Sequence, residues 1–253
     1  MKLHDKISNW ISNYLIKNNL ETLVIGISGG IDSAVTSTLC ARTGLPTKLL
    51  IMPIYQNEEE TKRGINHCNF LKNKYSNVEN INMDLSKVYD DYLNIVPINY
   101  HNKLSLANSR ARIRMTTLYI VAGGCKGIVV GTGNKVEDFG VGFFTKYGDG
   151  GVDISPIADL MKSEVYKLAI DLKVNNEIIK APPTDGLWDD GRTDEDQLGI
   201  SYDDLEWAMK FKESKNSQSI ILNDKQKKIL DIYNTHRQNN IHKMKSIPVF
   251  KKS

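Results

Sequence analysis

The chain has 253 residues, which is enough for one α/β domain with a sizeable core and a helical extension. Its 33 basic and 30 acidic residues give a formal net charge of +3, which argues against a general nucleic-acid-binding protein. No apolar run approaches the roughly 18 residues of a membrane span. The N-terminus also lacks the apolar core and cleavage site of a signal peptide. We therefore expect a cytoplasmic protein that binds neither nucleic acid nor membrane.

The first part of the chain alternates between helical and strand patterns. An amphipathic helix is predicted within residues 1–20. Strands are predicted at Leu23–Ile27, Lys48–Met52, Val78–Met83 and Gly127–Gly131. Helices are predicted at Ile31–Ala41, Glu58–Lys72, Asp84–Ile95, Ala107–Ala122 and Leu160–Leu172. This alternation predicts an α/β fold with a doubly wound parallel sheet and flanking helices. Ligands bind such sheets outside the carboxyl ends of the strands.

The second part of the chain is less regular. Residues 131–151 are rich in glycine and aromatic side chains and show no clean period. Residues 180–196 are polar, acidic and rich in turn residues, and we interpret them as a lid. Helices are predicted at Asp203–Phe211 and Asp224–Tyr233, followed by a basic tail. We expect one domain over 1–253, with a helix at 1–20, a core at 21–175, and a lid and helical region at 176–253.

The sequence TLVIGISGGIDS at 22–33 is the strongest chemical motif. A buried strand, a glycine turn and a helix N-terminus form an anion site, because unpaired backbone N–H groups point outward there. The glycines allow a phosphate to approach the backbone, and Ser28 and Ser33 add hydroxyl groups. Asp32 would repel a phosphate unless it held a Mg²⁺ ion that the phosphates share. No lysine follows Gly30, so this is not a Walker A loop.

SGGIDS at 28–33 resembles the pyrophosphate loop of the N-type ATP pyrophosphatases. The whole chain resembles the ammonia-dependent NAD⁺ synthetases within that superfamily. The matching stretches are ARIRM at 111–115, GTGNKVED at 131–138, GFFTKYGDGGVDISP at 142–156, PPTDGLW at 182–188, DEDQLGISYDDL at 194–205 and HKMKSIP at 242–248. This resemblance implies a Rossmann-like fold. It also implies that ATP adenylates the carboxylate of deamido-NAD⁺ and that ammonia then displaces AMP, giving NAD⁺ and pyrophosphate.

The resemblance also implies roles for individual residues. The positions that match the family's ATP-binding residues are Gly26, Ile27, Ser28, Gly29, Gly30, Ile31, Asp32, Ser33, Met52, Thr132, Lys162 and Thr184. Those that match its dinucleotide contacts are Arg112, Lys146, Asp153, His242 and Lys243. Asp149 matches the aspartate that guides ammonia, and Asp149, Lys162 and Asp32 are the expected catalytic residues.

The residues support this chemistry independently of the resemblance. A carboxylate is a poor electrophile, and adenylation gives it a good leaving group. Both reactants are anionic, so metal and lysine must screen them. Asp32 and Glu137 follow two predicted strands and together could hold Mg²⁺, although Glu137 could also be a solvated loop charge. Asp149 could accept the proton of ammonium, or it could only shape a turn.

Some features depart from the family pattern or allow a second reading. Some members of the family carry an arginine beside the adenine pocket at the position of Ile51. In this chain we therefore expect backbone groups of Ile51–Met52 and stacking to hold adenine. His236–Arg237 mimics the His-Lys pair, but the spacing to Pro248 favours His242–Lys243. The three cysteines have no CxxC spacing and are expected to be free thiols. His67 and His101 are expected at the surface.

Two other function classes remain open on the residues alone. Another N-type pyrophosphatase, such as a tRNA-thiolating or GMP-synthetase-like enzyme, would need a catalytic cysteine or a strong basic patch. A nucleotide-binding regulator would have a decayed site, and the presence of Ser28, Asp32, Glu137, Lys162 and Asp149 argues against it. We also expect free ammonia as the donor, because no amidase domain precedes Thr22. The apolar stripe of the N-terminal helix and the apolar stretch at 104–122 predict a homodimer.

Overall fold

A four-stranded parallel sheet forms the centre of the computed structural model, which describes residues 1–184, 186, 192–214 and 221–252. The strands are β1 (Thr22–Gly26), β2 (Thr47–Ile51), β3 (Val78–Asn82) and β4 (Gly127–Val129). Their order in the sheet is β3-β2-β1-β4, and each neighbouring pair is parallel. All four strands lie where the sequence predicted them, and the predicted parallel sheet is confirmed.

Helices cover both faces of this sheet. The helices are α1 (Leu3–Lys17), α2 (Ile31–Ala41), α3 (Glu58–Lys74), α4 (Ser86–Ile95), α5 (Lys103–Gly124), α6 (Lys162–Asp171), α7 (Asn176–Ile179), α8 (Asp194–Leu198), α9 (Tyr202–Glu213) and α10 (Asp224–Met244). Helices α1, α2, α3 and α6 share one apolar cluster with the sheet, whereas α4 and α5 share another. The doubly wound arrangement is therefore confirmed.

The strands are buried on both faces because their side chains alternate between the two clusters. Leu23, Ile25 and Leu49 point toward α2 and its neighbours, and Val24 and Leu50 point toward α4 and α5. All five are fully buried. A strand that is covered on both faces is expected to be continuously apolar, which is why these short runs could be recognised in the sequence.

A third apolar cluster joins α9 and α10 to a π-helix, Lys135–Val141, within the segment that had no clean sequence period. Helix α10 continues to Met244, well beyond the predicted end at Tyr233. His242 and Lys243 therefore lie in its last turn, and their placement in a tail was wrong. The polar face of α10 is fixed because Arg237 and Asn240 donate to carbonyl oxygens of Gly140 and Val141, at 2.9 and 3.0 Å.

The expectation that His67 lies at the surface was wrong. His67 is buried between α3 and α2, and its Nε2 lies 2.9 Å from the Ser37 hydroxyl. Burial lowers the pKa of His67 to about 4. His101 is half-buried. Cys40, Cys68 and Cys125 are free, as predicted. In the described parts of the chain, no helix has the length and apolarity needed to cross a membrane.

Candidate active site

The carboxyl ends of β1, β2 and β4 open into a cavity, where the sequence predicted a ligand site. The expected ATP-binding residues in its walls are Gly26, Ile27, Ser28, Gly30, Ile31, Asp32, Ser33, Met52, Thr132, Lys162 and Thr184. Glu137 and Asp149 also line this cavity. Most residues assigned to ATP are therefore brought together, although they come from segments that are far apart in sequence.

Hydroxyl groups shape the loop at 28–33. The Ser28 hydroxyl accepts from the Gly30 amide at 3.1 Å, and the Ser33 hydroxyl donates to the Gly30 carbonyl at 3.0 Å. Gly29 has a φ of +88° and lies against α3, where a Cβ atom would be 2.3 Å from the Glu60 carbonyl oxygen. This close approach explains the glycine at this position. The first residues of α2, Ile31, Asp32 and Ser33, line the cavity, where a helix N-terminus favours an anion.

A buried ion-pair network lies at the base of the cavity. The Lys162 ammonium donates to Asp32 Oδ2 at 2.6 Å and to Glu137 Oε1 at 2.9 Å. Only 3 % of the Lys162 side chain is exposed. Asp32 occupies the first turn of α2, within the helix predicted at Ile31–Ala41, and Glu137 occupies the first turn of a π-helix that was not predicted. Asn134 caps the π-helix and donates to Asp32 Oδ1 at 3.1 Å, so the carboxylate is fixed from two sides.

The charges of this network depend on one another. Burial lowers the pKa of Lys162, but the two carboxylates outweigh this effect and raise it above its usual value. Burial raises the pKa of Asp32, against the opposing effect of Lys162. Burial would also raise the pKa of Glu137, but Lys162 and the Tyr202 hydroxyl together lower it. Lys162 is therefore a fixed positive charge between the two carboxyl groups.

The carboxylates of Asp32 and Glu137 fit a Mg²⁺ ion by their chemistry. Both converge on a single cationic group, and carboxylate oxygens are the ligands that Mg²⁺ prefers. No group of three or more acidic, histidine or cysteine side chains is arranged around a metal position in the described residues. Mg²⁺ commonly uses one or two protein carboxylates and takes its other ligands from phosphates and water.

Tyr202 and Asp194 belong to this network and were not identified from the sequence. The Tyr202 hydroxyl donates to Glu137 Oε1 at 2.5 Å and lies 3.1 Å from Asp194 Oδ2. The Lys162 ammonium lies 4.8 Å from the centre of the Tyr202 ring. The only available signal was that both residues fall in the family stretch at 194–205.

Arg114 was also missed, because only Arg112 was carried forward from the ARIRM stretch. Its Nε donates to the Met52 carbonyl at 2.8 Å, and one terminal nitrogen lies 3.4 Å from Gln56 Oε1. Next to it, a Cβ atom at Gly26 would meet the side chains of Met52 and Leu118 at 3.5 and 3.6 Å. Apolar side chains and a guanidinium group therefore line the part of the cavity where the sequence predicted the adenine contact.

The residues assigned to the dinucleotide divide into two groups. Four of them, Arg112, Lys146, His242 and Lys243, join α5, the glycine-rich segment and α10. Arg112 Nε donates to the Lys146 carbonyl at 3.4 Å, the Lys146 ammonium to the His242 carbonyl at 3.3 Å, and the Lys243 ammonium to the Phe144 carbonyl at 2.7 Å. These four are not among the residues that line the cavity. Asp153 is separate, because its carboxylate accepts from the Val129 amide at 2.8 Å and from the Tyr119 hydroxyl at 3.0 Å.

Asp149 lines the cavity and also supports its own turn. Its Oδ1 accepts from the Thr145 amide at 2.9 Å. Asp138 lines the same wall, and burial together with the neighbouring carboxylates of Glu137, Asp149 and Asp32 raises its pKa well above its usual value. Residues 185 and 187–191 of the predicted lid lie outside the described residues, whereas Ala181–Thr184 line the cavity.

The chain is similar over most of its length to proteins of one family. The sequence profile of the NAD synthase family matches residues 3–247. An NH₃-dependent NAD⁺ synthetase of Carboxydothermus hydrogenoformans is 40% identical over 204 residues, covering 80% of this chain and 82% of the relative. One from Methanosarcina acetivorans is 34% identical over 251 residues, covering 98% and 97%.

Two solved structures extend the similarity to the fold. An NMN synthetase from Francisella tularensis has a TM-score of 0.86 and 32% identity, with 99% of this chain and 98% of that chain covered. An NH₃-dependent NAD synthetase from Campylobacter jejuni has a TM-score of 0.79 and 26% identity, with 98% of both chains covered. The profile match over most of the chain and these full-length relatives show that the chain belongs to the NAD synthase family.

Proposed function

We propose that this protein catalyses the ATP-dependent amidation of deamido-NAD⁺ by ammonia, through an adenylated intermediate, to give NAD⁺, AMP and pyrophosphate. The observation that carries the proposal is the ion-pair network of Lys162, Asp32 and Glu137 beside the 28–33 loop. A lysine between two carboxylates, next to a helix N-terminus, can screen a triphosphate against an anionic acceptor.

In the proposed reaction the parts of the cavity have separate tasks. The part of the cavity lined by Gly26, Met52 and Arg114 would hold adenine, and the 28–33 loop would hold the phosphates. Asp32 and Glu137 would hold Mg²⁺, which supplies charge neutralisation on the phosphates when it is bound. Lys162 would stay protonated and stabilise charge at the α-phosphate. Asp149 would bind ammonium and accept its proton, which leaves ammonia with a free electron pair beside the acyl carbon.

The basic residues outside the cavity would hold the acceptor dinucleotide. Arg112, Lys146 and the last turn of α10 are joined to one another by hydrogen bonds and would form the cationic site that binds it. Exposed apolar side chains on α5 and the preceding turn, including Ile98, Leu104 and Ile120, support a homodimer formed through this surface. Light scattering should give twice the monomer mass, and a monomer at working concentration would contradict the dimer.

We also propose that the described parts act as one catalytic domain in the cytoplasm. The contact of Tyr202 with Glu137 supports one domain, because it joins the C-terminal helices to the core of the site. Free thiols at all three cysteines support a reducing compartment.

A second candidate acceptor is nicotinic acid mononucleotide. The observation that favours it is the full-length similarity to the Francisella tularensis NMN synthetase, at a TM-score of 0.86. The two candidates share the whole ATP half-reaction and differ only in the acceptor, so the network at Lys162 does not separate them.

One set of assays tests these alternatives. Purified protein is incubated with Mg-ATP, ammonium and either deamido-NAD⁺ or nicotinic acid mononucleotide, and pyrophosphate and the amidated product are measured. We expect a higher kcat/KM with deamido-NAD⁺, and a preference for the mononucleotide would replace the first proposal by the second. Glutamine in place of ammonium should give no product. Pyrophosphate release without amidation of either acceptor would contradict both.

A further inference from the structure

Three basic side chains line the cavity among the described residues, and two of them are already engaged. They are Arg63, Arg114 and Lys162. The charge of Lys162 is offset by two carboxylates, those of Asp32 and Glu137, and Arg114 is held beside Met52 by its hydrogen bond to the Met52 carbonyl.

Arg63 lies on α3, directly beside the phosphate-binding loop. It precedes Gly64, where a Cβ atom would be only 3.5 Å from the Gly29 amide nitrogen. One turn earlier, the Glu60 carbonyl approaches Gly29 even more closely. Helix α3 thus packs against the outer side of the loop, and the arginine enters the cavity at the edge of that contact.

The guanidinium group of Arg63 has no protein partner within the described part of the chain. Its Nε is buried and makes no hydrogen bond, and the side chain forms no ion pair with a described carboxylate. Glu60, three residues earlier on the same helix, instead accepts from the Gln56 side chain at 3.0 Å. A half-buried arginine whose Nε has no partner among the described residues is unusual, because buried donors are normally satisfied.

We propose that Arg63 binds the β- and γ-phosphates of ATP, the part of the nucleotide that leaves as pyrophosphate. This inference rests on the proposed use of ATP at the site. A planar guanidinium group matches the oxygens of a phosphate and can bind two of them at once. Lys162 is already paired with Asp32 and Glu137, and one Mg²⁺ ion would offset only part of the triphosphate charge, so a further cation at the outer phosphates would be favourable. Arg63 would supply it from α3, which packs against the phosphate-binding loop.

The test compares the binding of ATP and AMP, measured by calorimetry with Mg²⁺ present, in the full chain and in Arg63→Gln. AMP lacks the two outer phosphates, so its affinity should stay within about twofold of the wild type. ATP should bind about tenfold or more weakly to the variant. Arg63→Lys should recover part of the ATP affinity. Lys62→Gln is the matched control, because Lys62 is the exposed neighbour on α3 and does not line the cavity.

Several results would overturn the assignment. Unchanged ATP affinity in Arg63→Gln would show that the phosphates do not contact the arginine. An equal loss of affinity for ATP and AMP would show that Arg63 acts on the part that the two nucleotides share, and not on the outer phosphates. If Arg63→Gln binds less ATP only because it unfolds, its urea midpoint will fall and its AMP affinity will fall as well. Because these measurements need no acceptor, they separate this inference from the proposed amidation, which fails only if wild-type protein makes no amide.

Discussion

The hydroxyl of Tyr202 donates to Oε1 of Glu137 across 2.5 Å, and the same carboxylate oxygen accepts from Lys162. The donor comes from the C-terminal helices, whereas the acceptor belongs to the π-helix beside the sheet. A single hydroxyl group therefore links the third apolar cluster to the part of the cavity that would hold metal and phosphate.

Tyr202→Phe should lower the affinity of the site for Mg²⁺ without unfolding the protein. The ring and its packing against Lys162 remain, but Glu137 loses one of its two side-chain donors. We expect the Mg²⁺ concentration for half-maximal activity to rise by about tenfold or more and the free energy of unfolding to fall by about 1–2 kcal/mol. Manganese binding, followed by magnetic resonance, gives a readout that does not depend on turnover. Tyr233→Phe is the control. Tyr233 lies in the same apolar cluster but does not line the cavity, so its replacement should leave the affinity for Mg²⁺ unchanged.

Asp32→Asn should abolish turnover while keeping the fold. The asparagine can still accept from Lys162 or from Asn134 through its single side-chain oxygen, but the charge that Mg²⁺ needs is lost. We expect kcat to fall by a factor of about a hundred or more. The thermal midpoint should change by only a few degrees. Near-normal turnover at saturating Mg²⁺ would show that Asp32 is not a metal ligand.

The variant Asp149→Asn separates a chemical role of Asp149 from its structural role in the turn that begins at Thr145. The new amide oxygen can still accept from the Thr145 amide, so the turn should survive. What is lost is the carboxylate that binds ammonium and accepts its proton. We expect amide formation to slow by about 10²–10⁴-fold, while ATP–pyrophosphate exchange with the acceptor present stays near the wild-type rate. An equal loss in both half-reactions would assign Asp149 to the structure or to the ATP site.

Gly29→Ala should be far more damaging than the matched change Gly44→Ala. Both glycines have a positive φ, of +88° and +75°, so both changes strain the backbone. Nothing lies within 4 Å of a Cβ atom at Gly44, whereas one at Gly29 would collide with the Glu60 carbonyl. We expect about 1 kcal/mol of destabilisation at Gly44 and a larger loss at Gly29 together with weakened ATP binding. Urea unfolding and calorimetry measure the two effects separately, and equal effects at both sites would contradict the steric explanation.

His67 should make the protein less stable in mild acid. Burial lowers its pKa from 6.5 to about 4, so between these values the unfolded chain takes up a proton that the folded chain does not. The free energy of unfolding should therefore fall as the pH drops from 6.5 to 4, by about 3 kcal/mol over the whole range. In urea unfolding at pH 7 and 4.5, His67→Gln should lose less stability than the wild type. His101→Gln serves as the control and should behave like the wild type.

The sheet and the phosphate loop could be predicted because their signals are local. Continuous apolar runs mark β1 and β2, and the glycines and Asp32 follow β1 directly. The partners of Lys162 could not be derived in this way, because its contact with Asp32 spans 130 residues. The end of α10 was also hidden, since the residues after Tyr233 are polar and their helix is fixed by carbonyl oxygens of the π-helix. His67 resembles any surface histidine until the packing of α2 on α3 is known.

Asp153 also covers the outer edge of strand β4, which could otherwise pair with a strand of another molecule. Its side chain accepts from the Val129 amide, its own amide donates to the Val129 carbonyl at 2.9 Å, and the next residue, Ile154, pairs with Val130. The outer edge of β4 therefore offers no open row of donors and acceptors along this stretch to a strand of another molecule. At the opposite edge, β3 is only five residues long and carries the charged Glu79. Both edges of the sheet are in this way protected against edge-to-edge aggregation. Asp153 would therefore have a structural role that does not depend on binding a substrate.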